Sequence, residues 1–99
     1  MTTSTYNIHD LALELSTRPA GASARSRILS FMKDCDEIEI DLDFCTLTPS
    51  FADECLGRLA AEVGLNEFKK RVRLIHVEES AKPLIKHVIL RRCSEITSG

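Results

Sequence analysis

Side chains able to bind metals or act as nucleophiles and bases are spread along this 99-residue chain. They are Cys35, Cys45, Cys55 and Cys93, then His9, His76 and His87, and an acidic group of Asp41, Asp43, Asp53 and Glu54. A local zinc site needs ligands at short spacings, such as C-x-x-C or paired histidines, and the sequence has neither. The cysteines read instead as buried free thiols beside apolar stripes, because unpaired cysteine is among the most buried residue types. Asp41 and Asp43 lie in an alternating stretch, where carboxylates form a solvated face more often than a magnesium site. The three histidines fall on separate predicted elements with no nucleophile motif beside them, which argues against general acid–base use. The expectation is a chain with no metal, no cofactor and no catalytic residue, and not an enzyme.

Basic residues suggest two further chemistries. Arg18, Arg25 and Arg27 surround a Gly/Ser-containing helix start, a setting able to hold a phosphate, but no G-x-x-x-x-G-K-[ST] or G-x-G-x-x-G run accompanies them. A small phosphate-ligand or nucleotide binding protein, or a small enzyme, using Arg18, Arg25 and Ser50 is the alternative reading. Lys69, Lys70, Arg71 and Arg73 form the densest basic run, yet with only Phe68 beside them they make a poor platform for stacking bases and read as a solvated turn. The formal charge of -2 gives no overall attraction to nucleic acid. No apolar run approaches the ~20 residues needed to cross a membrane. Met1 to Asp10 also lacks the basic start and apolar stretch of a secretory leader, so a cytoplasmic location is expected.

The elements that must position these residues can be read from periodicity. At 43% hydrophobic and 28% charged, the chain fits one domain with a modest core, to which dimer formation or a partner would add stability. From Glu37 to Phe44, Ile38, Ile40, Leu42 and Phe44 alternate with acidic residues, predicting a strand with one wet face and helices packed on the other. Phe51, Ala52, Cys55, Leu56, Leu59, Ala60 and Val63 form a helical stripe ending at Gly64. Its start is marked either by Thr48 with Pro49 or by a Ser50/Asp53 capping box. Asn66 is placed to cap a short turn through Lys70, and Arg71 to Val77 reads as a strand. A last helix from near Ser80 tolerates Pro83 and carries Leu84, Ile85, Val88, Ile89 and Cys93, before a frayed tail from Ser94. Upstream, Ala24, Ile28, Phe31, Met32 and Cys35 share one helical face. Tyr6 to Leu15 suits an opening strand better than a helical turn. The predicted fold is α/β with order β-α-β-α-β-α, a two-layer sandwich on a mostly parallel or mixed sheet.

The run IDLDFCTLTPSFADECLGRL resembles the strand, loop and helix of the STAS family, the fold of anti-sigma-factor antagonists. SFADECLGRL, LNEFKKRVRLIHV and the PLIK of the last helix resemble, more closely, the bacterial STAS-like domains of unassigned function, over roughly residues 5 to 92. In the antagonists a serine at the start of this helix is phosphorylated by a histidine-kinase-like ATPase, and Ser50 stands at that place. The residues around it differ, with Pro49 before and Phe51-Ala52 after where the antagonists have Asp and Ser-Gly. The resemblance implies a regulatory module that docks to such an ATPase or to an anti-sigma-type regulator. Thr46, Thr48, Pro49, Asp53 and Glu54 would form the docking surface around Ser50, which is either a phosphoacceptor or a plain helix cap. Asp53 and Glu54 are expected to meet basic groups of the partner and to repel a phosphate on Ser50.

Overall fold

The computed structural model describes residues 2–97. Three strands, β1 (Thr3–Asn7), β2 (Glu37–Asp41) and β3 (Val72–Ile75), form one sheet in the order β1-β2-β3, with both pairings parallel. β2 is central yet alternates, with Ile38 and Ile40 buried and Glu37, Glu39 and Asp41 only half-buried. Parallel strands laid down in sequential order with crossovers of one hand carry their helices on one face, which leaves the other to polar side chains.

Each crossover begins and ends for local reasons. β1 stops at Asn7, whose Oδ1 accepts the His9 amide at 2.9 Å and caps α1 (Ile8–Leu11). The expected strand over Tyr6 to Leu15 is thereby corrected: the i, i+3 pair Ile8 and Leu11 is buried by one helical turn, which an extended chain would not achieve. Helix α2 (Arg18–Met32) is capped by Thr17, carries Pro19 in its first turn and buries Ala24, Ile28 and Met32. Its last carbonyl and the loop after it are held by Arg71, whose guanidinium donates to Met32 O, to Cys35 O at 3.1 Å and to Asp36 O at 3.1 Å. Arg71 is therefore a tie between helix and strand, not part of a solvated turn. Strand β2 ends three residues earlier than expected. Asp41 Oδ1 accepts the Asp43 amide at 2.7 Å, and Asp43 and Phe44 take left-handed φ of 52° and 54°. Phe44 is consequently 62% exposed, not buried with the alternating set.

The chain then enters one continuous helix over residues 49–63, made of α3 (Pro49–Ala52), a π-helical turn (Asp53–Gly57) and α4 (Arg58–Val63). Thr48 is its cap, with Oγ1 accepting the Phe51 amide at 3.2 Å. The Ser50/Asp53 capping box does not form, because Pro49 starts the helix and places Ser50 inside the first turn. Gly64, at φ 91°, turns the chain directly into α5 (Leu65–Arg71), which begins without the expected Asn66 cap because the Gly64 carbonyl already accepts the Phe68 amide at 2.8 Å. After β3 and a 3-10 turn (Glu79–Ala81), helix α6 (Lys82–Thr97) closes the fold. It continues past Ser94 instead of fraying there, and residues 98–99 of the expected tail lie outside the described residues. Two short helices, α1 and α5, thus interrupt the simple alternation predicted.

The core gathers Ile8, Ile28, Ile38, Ile40, Phe51, Leu56 and Leu59, all fully buried, with each side chain contributing about 1.5–3 kcal/mol. Cys55 joins them, and burial pushes its thiol up to about 12. Cys35, Cys45 and Cys93 are only half-buried, which corrects the expectation of four buried thiols. Two glycines let the helices touch. A Cβ on Gly21 would lie 2.8 Å from Glu54 Cβ, and one on Gly57 would lie 3.0 Å from the Val88 carbonyl oxygen. Gly21→Ala should therefore push α2 off the π turn and cost about 1–3 kcal/mol in urea unfolding, although alanine has the higher helix propensity. An unchanged or raised midpoint would contradict this packing.

Candidate functional site

Two constellations stand out, and the π turn builds the first. Asp53 and Glu54 sit at 7% and 9% exposure between the helices. Arg92 of α6 grips Asp53 with both Nε, at 2.8 Å, and a terminal nitrogen, while Arg18 of α2 reaches Asp53 at 2.9 Å and Glu54 at 3.2 Å. Arg25 binds Glu54 at 3.1 Å and Glu62 at 3.2 Å, and Arg58, one turn on, binds Glu54 at 3.1 Å. No buried side-chain nitrogen or oxygen among the described residues lacks a hydrogen-bond partner. The Arg92 hydrogen bonds, assisted by Arg18, outweigh burial and hold the Asp53 carboxyl far below the usual carboxylate range. For Glu54 burial acts upward, but hydrogen bonds from Arg25 and Arg18 prevail and hold it down as well.

These pairings correct several expectations. Asp53 and Glu54 face this chain's own arginines, so they are not groups displayed to a partner's cations. Being neutralised, they no longer present bare negative charge to a phosphate on Ser50. Arg18 and Arg25 are paired with Asp53 and Glu54, so neither is held as a bare cation for a phosphate shared with Ser50.

The second constellation lies where all three strands end. His9 follows β1, Asp41, Asp43 and Cys45 follow or close β2, and His76 follows β3. His9 Nε2 is 3.1 Å from Cys45 Sγ and 3.6 Å from Asp43 Oδ2, and one potential ligand atom from each of the three lies within 4.8 Å of the others. His76 Nδ1 meets Asp41 Oδ1 at 2.9 Å, and its carbonyl accepts the Phe44 amide at 2.8 Å. The Asp43 amide, aided by His76, holds the Asp41 carboxyl below its ordinary value against modest desolvation. Beyond Cys45 the loop carries Thr46, exposed, and Thr48, whose hydroxyl donates to Ser16 O at 2.8 Å. Pro49 is exposed and Ser50 half-buried, beside this edge. Thr48 is thus occupied in joining two loops and capping the helix, while Thr46, Pro49 and Ser50 remain on the surface. His87 is on the exposed face of α6, apart from the other histidines.

The proximity of His9 and Cys45 corresponds to no motif in the sequence. They are 36 residues apart, and only the parallel register, Asn7 opposite Asp41, brings positions just past the two strand ends together. That register is the signal from which the cluster follows. Arg58 was legible as an i+4 partner of Glu54, whereas nothing local marks Arg92.

A three-stranded parallel sheet with helices, in a small α/β domain, is consistent with a STAS-like fold. Residues 20–82 match the model of the STAS-like domain of unknown function (DUF4325), and the chain belongs to that family. No curated protein and no solved structure matches it. No described helix is long and apolar enough to cross a membrane.

The ion cluster has a pH signature. A carboxyl lowered by folding adds stability above its unfolded value, near ~3.9 for aspartate, and loses it as pH falls toward the folded value. Asp53→Asn should cost on the order of 3 kcal/mol at pH 7, because it leaves Arg92 without its charged partner. The gap between wild type and variant in urea unfolding should narrow below about pH 4, where the unfolded carboxyl is protonated. A gap independent of pH would contradict the assignment.

Proposed function

We propose that this chain is a non-catalytic regulatory module that docks to another protein in the manner of anti-sigma-factor antagonists, through the loop and helix start around Ser50. Membership of a STAS-like family supports the regulatory class. The observation that carries the docking surface is the display of Phe44. It is a large aromatic side chain held outward by a left-handed backbone on the loop leading to Ser50. A non-glycine residue keeps that conformation only where its surroundings enforce it, here through the bond from the Phe44 amide to His76 O. Leu13, fully exposed, sits on the neighbouring loop whose Leu15 and Ser16 carbonyls accept hydrogen bonds from Thr48. Two tied loops therefore offer apolar anchors beside Thr46, Pro49 and Ser50. A central apolar anchor with a polar rim is the usual anatomy of a docking patch.

In this reading the partner is a histidine-kinase-like ATPase or an anti-sigma-type regulator, and the setting is cytoplasmic, in keeping with four cysteines that form no disulfide. Phosphate on Ser50 would add roughly two negative charges to the patch and eject the partner through desolvation. The arginine-neutralised Asp53 and Glu54 leave that modification electrostatically permitted.

Affinity capture from the native cell with wild-type, Ser50→Asp and Phe44→Ser chains checks this. A kinase-like ATPase or anti-sigma-type protein should be retained by wild type, and each variant should bind it at least about tenfold more weakly, or ~1.4 kcal/mol. Equal retention by all three would exclude the Ser50 surface.

A further inference from the structure

The cluster at the carboxyl ends of β1 and β2 is built differently from a docking patch. His9, Asp43 and Cys45 supply an imidazole, a carboxylate and a thiol, the three ligand types that zinc accepts. Zinc bonds of about 2.0 Å to nitrogen and oxygen and about 2.3 Å to sulfur, at tetrahedral angles, set ligand separations of roughly 3.3–3.6 Å. The observed nitrogen–sulfur and nitrogen–oxygen separations of 3.1 and 3.6 Å are within ~0.4 Å of the ~3.5 and ~3.3 Å that these bonds set, an adjustment that side-chain rotation can supply. Both partners also converge on the same ring nitrogen, His9 Nε2. A nucleophile–base–carboxylate relay would place thiol and carboxylate on opposite nitrogens, so the geometry disfavours a catalytic triad and suits three ligands around one centre.

The scaffold beneath is fixed. Asn7 Oδ1 holds the His9 amide, Asp41 Oδ1 holds the Asp43 amide, and Leu42 O accepts the Cys45 amide at 2.9 Å. The side chains of His9 and Asp43 are about half exposed, at 52% and 56%, which leaves an approach for a fourth ligand. We infer that His9, Asp43 and Cys45 form a divalent transition-metal site of the zinc class, with one coordination position open to water or to a partner's side chain. This assignment is independent of the docking reading.

Cobalt(II) and zinc titrations of the full chain test it, with circular dichroism to confirm that each variant folds. Wild type should bind one ion per chain and show thiolate-to-cobalt charge-transfer absorption. Cys45→Ser should abolish that absorption, and Cys35→Ser should keep it. His9→Ala should weaken zinc binding by more than the roughly 10–100-fold that loss of an outer hydrogen-bond partner costs. Asp43→Asn, which tolerates the left-handed backbone, should weaken it as well. A band that survives Cys45→Ser would overturn the site, as would one ion shared by two chains. So would the absence of any band with Cys45 rapidly alkylated at neutral pH, which would mark a histidine-activated thiolate instead.

Discussion

Burying Asp53 and Glu54 at the waist of a helix requires guanidinium groups to reach them, and the positions of the three long helices follow from that requirement. An isolated carboxylate in such a place would cost several kcal/mol, so each is met by more than one arginine. Arg18 and Arg25 come from α2, Arg92 from α6 and Arg58 from the helix itself. The planar fork of Arg92 on Asp53 fixes direction as well as distance, which a lysine could not do. Such a cluster adds less net stability than a well-packed apolar core would, and its stronger contribution is to register: few placements of α2 and α6 satisfy every charge. Gly21 and Gly57 complete the arrangement by letting helix backbones approach where a methyl group would collide.

The loops at the strand ends are governed by the sheet. Parallel strands send all their following loops to one edge, and open α/β sheets present their ligand sites there. All three non-glycine residues with positive φ, Asp43, Phe44 and His76, lie at this edge among the described residues. Each is held by the hydrogen bonds that also orient the neighbouring imidazole and carboxylate groups. An ion-paired interior among the helices and a conformationally constrained rim at the strand ends thus have separate origins.

Much of this architecture was legible in the residues. The alternation of Ile38 and Ile40 with acids marked the central strand, the stripe from Phe51 to Val63 marked the long helix, Gly64 marked its end, and Thr48-Pro49 was one of two starts on offer. Resemblance to STAS-like domains rested on the same segments. What could not be read was non-local. Asp53 and Glu54 look like an exposed helix start until α6 delivers Arg92 from 39 residues away. His9 and Cys45 look unrelated until strand pairing aligns their loops. Phe44 continues the alternating pattern on paper, but the Asp41–Asp43 turn, a local polar preference, ends the strand before that pattern can be used.

The π turn also bears on which way the helix start faces. A π turn contains one residue more than the α-helical turn it replaces, so it is geometrically equivalent to a single-residue insertion in an α-helix. Each residue advances an α-helix by about 100°, so removing one from Asp53–Gly57 would rotate everything before it by roughly that angle against α4. Pro49 and Ser50 would swing from the loop edge toward a flank of the domain, and the Thr48 bond to Ser16 would be lost. Length variants within the family therefore offer a structural marker: chains lacking the extra residue should present a different face at this helix start.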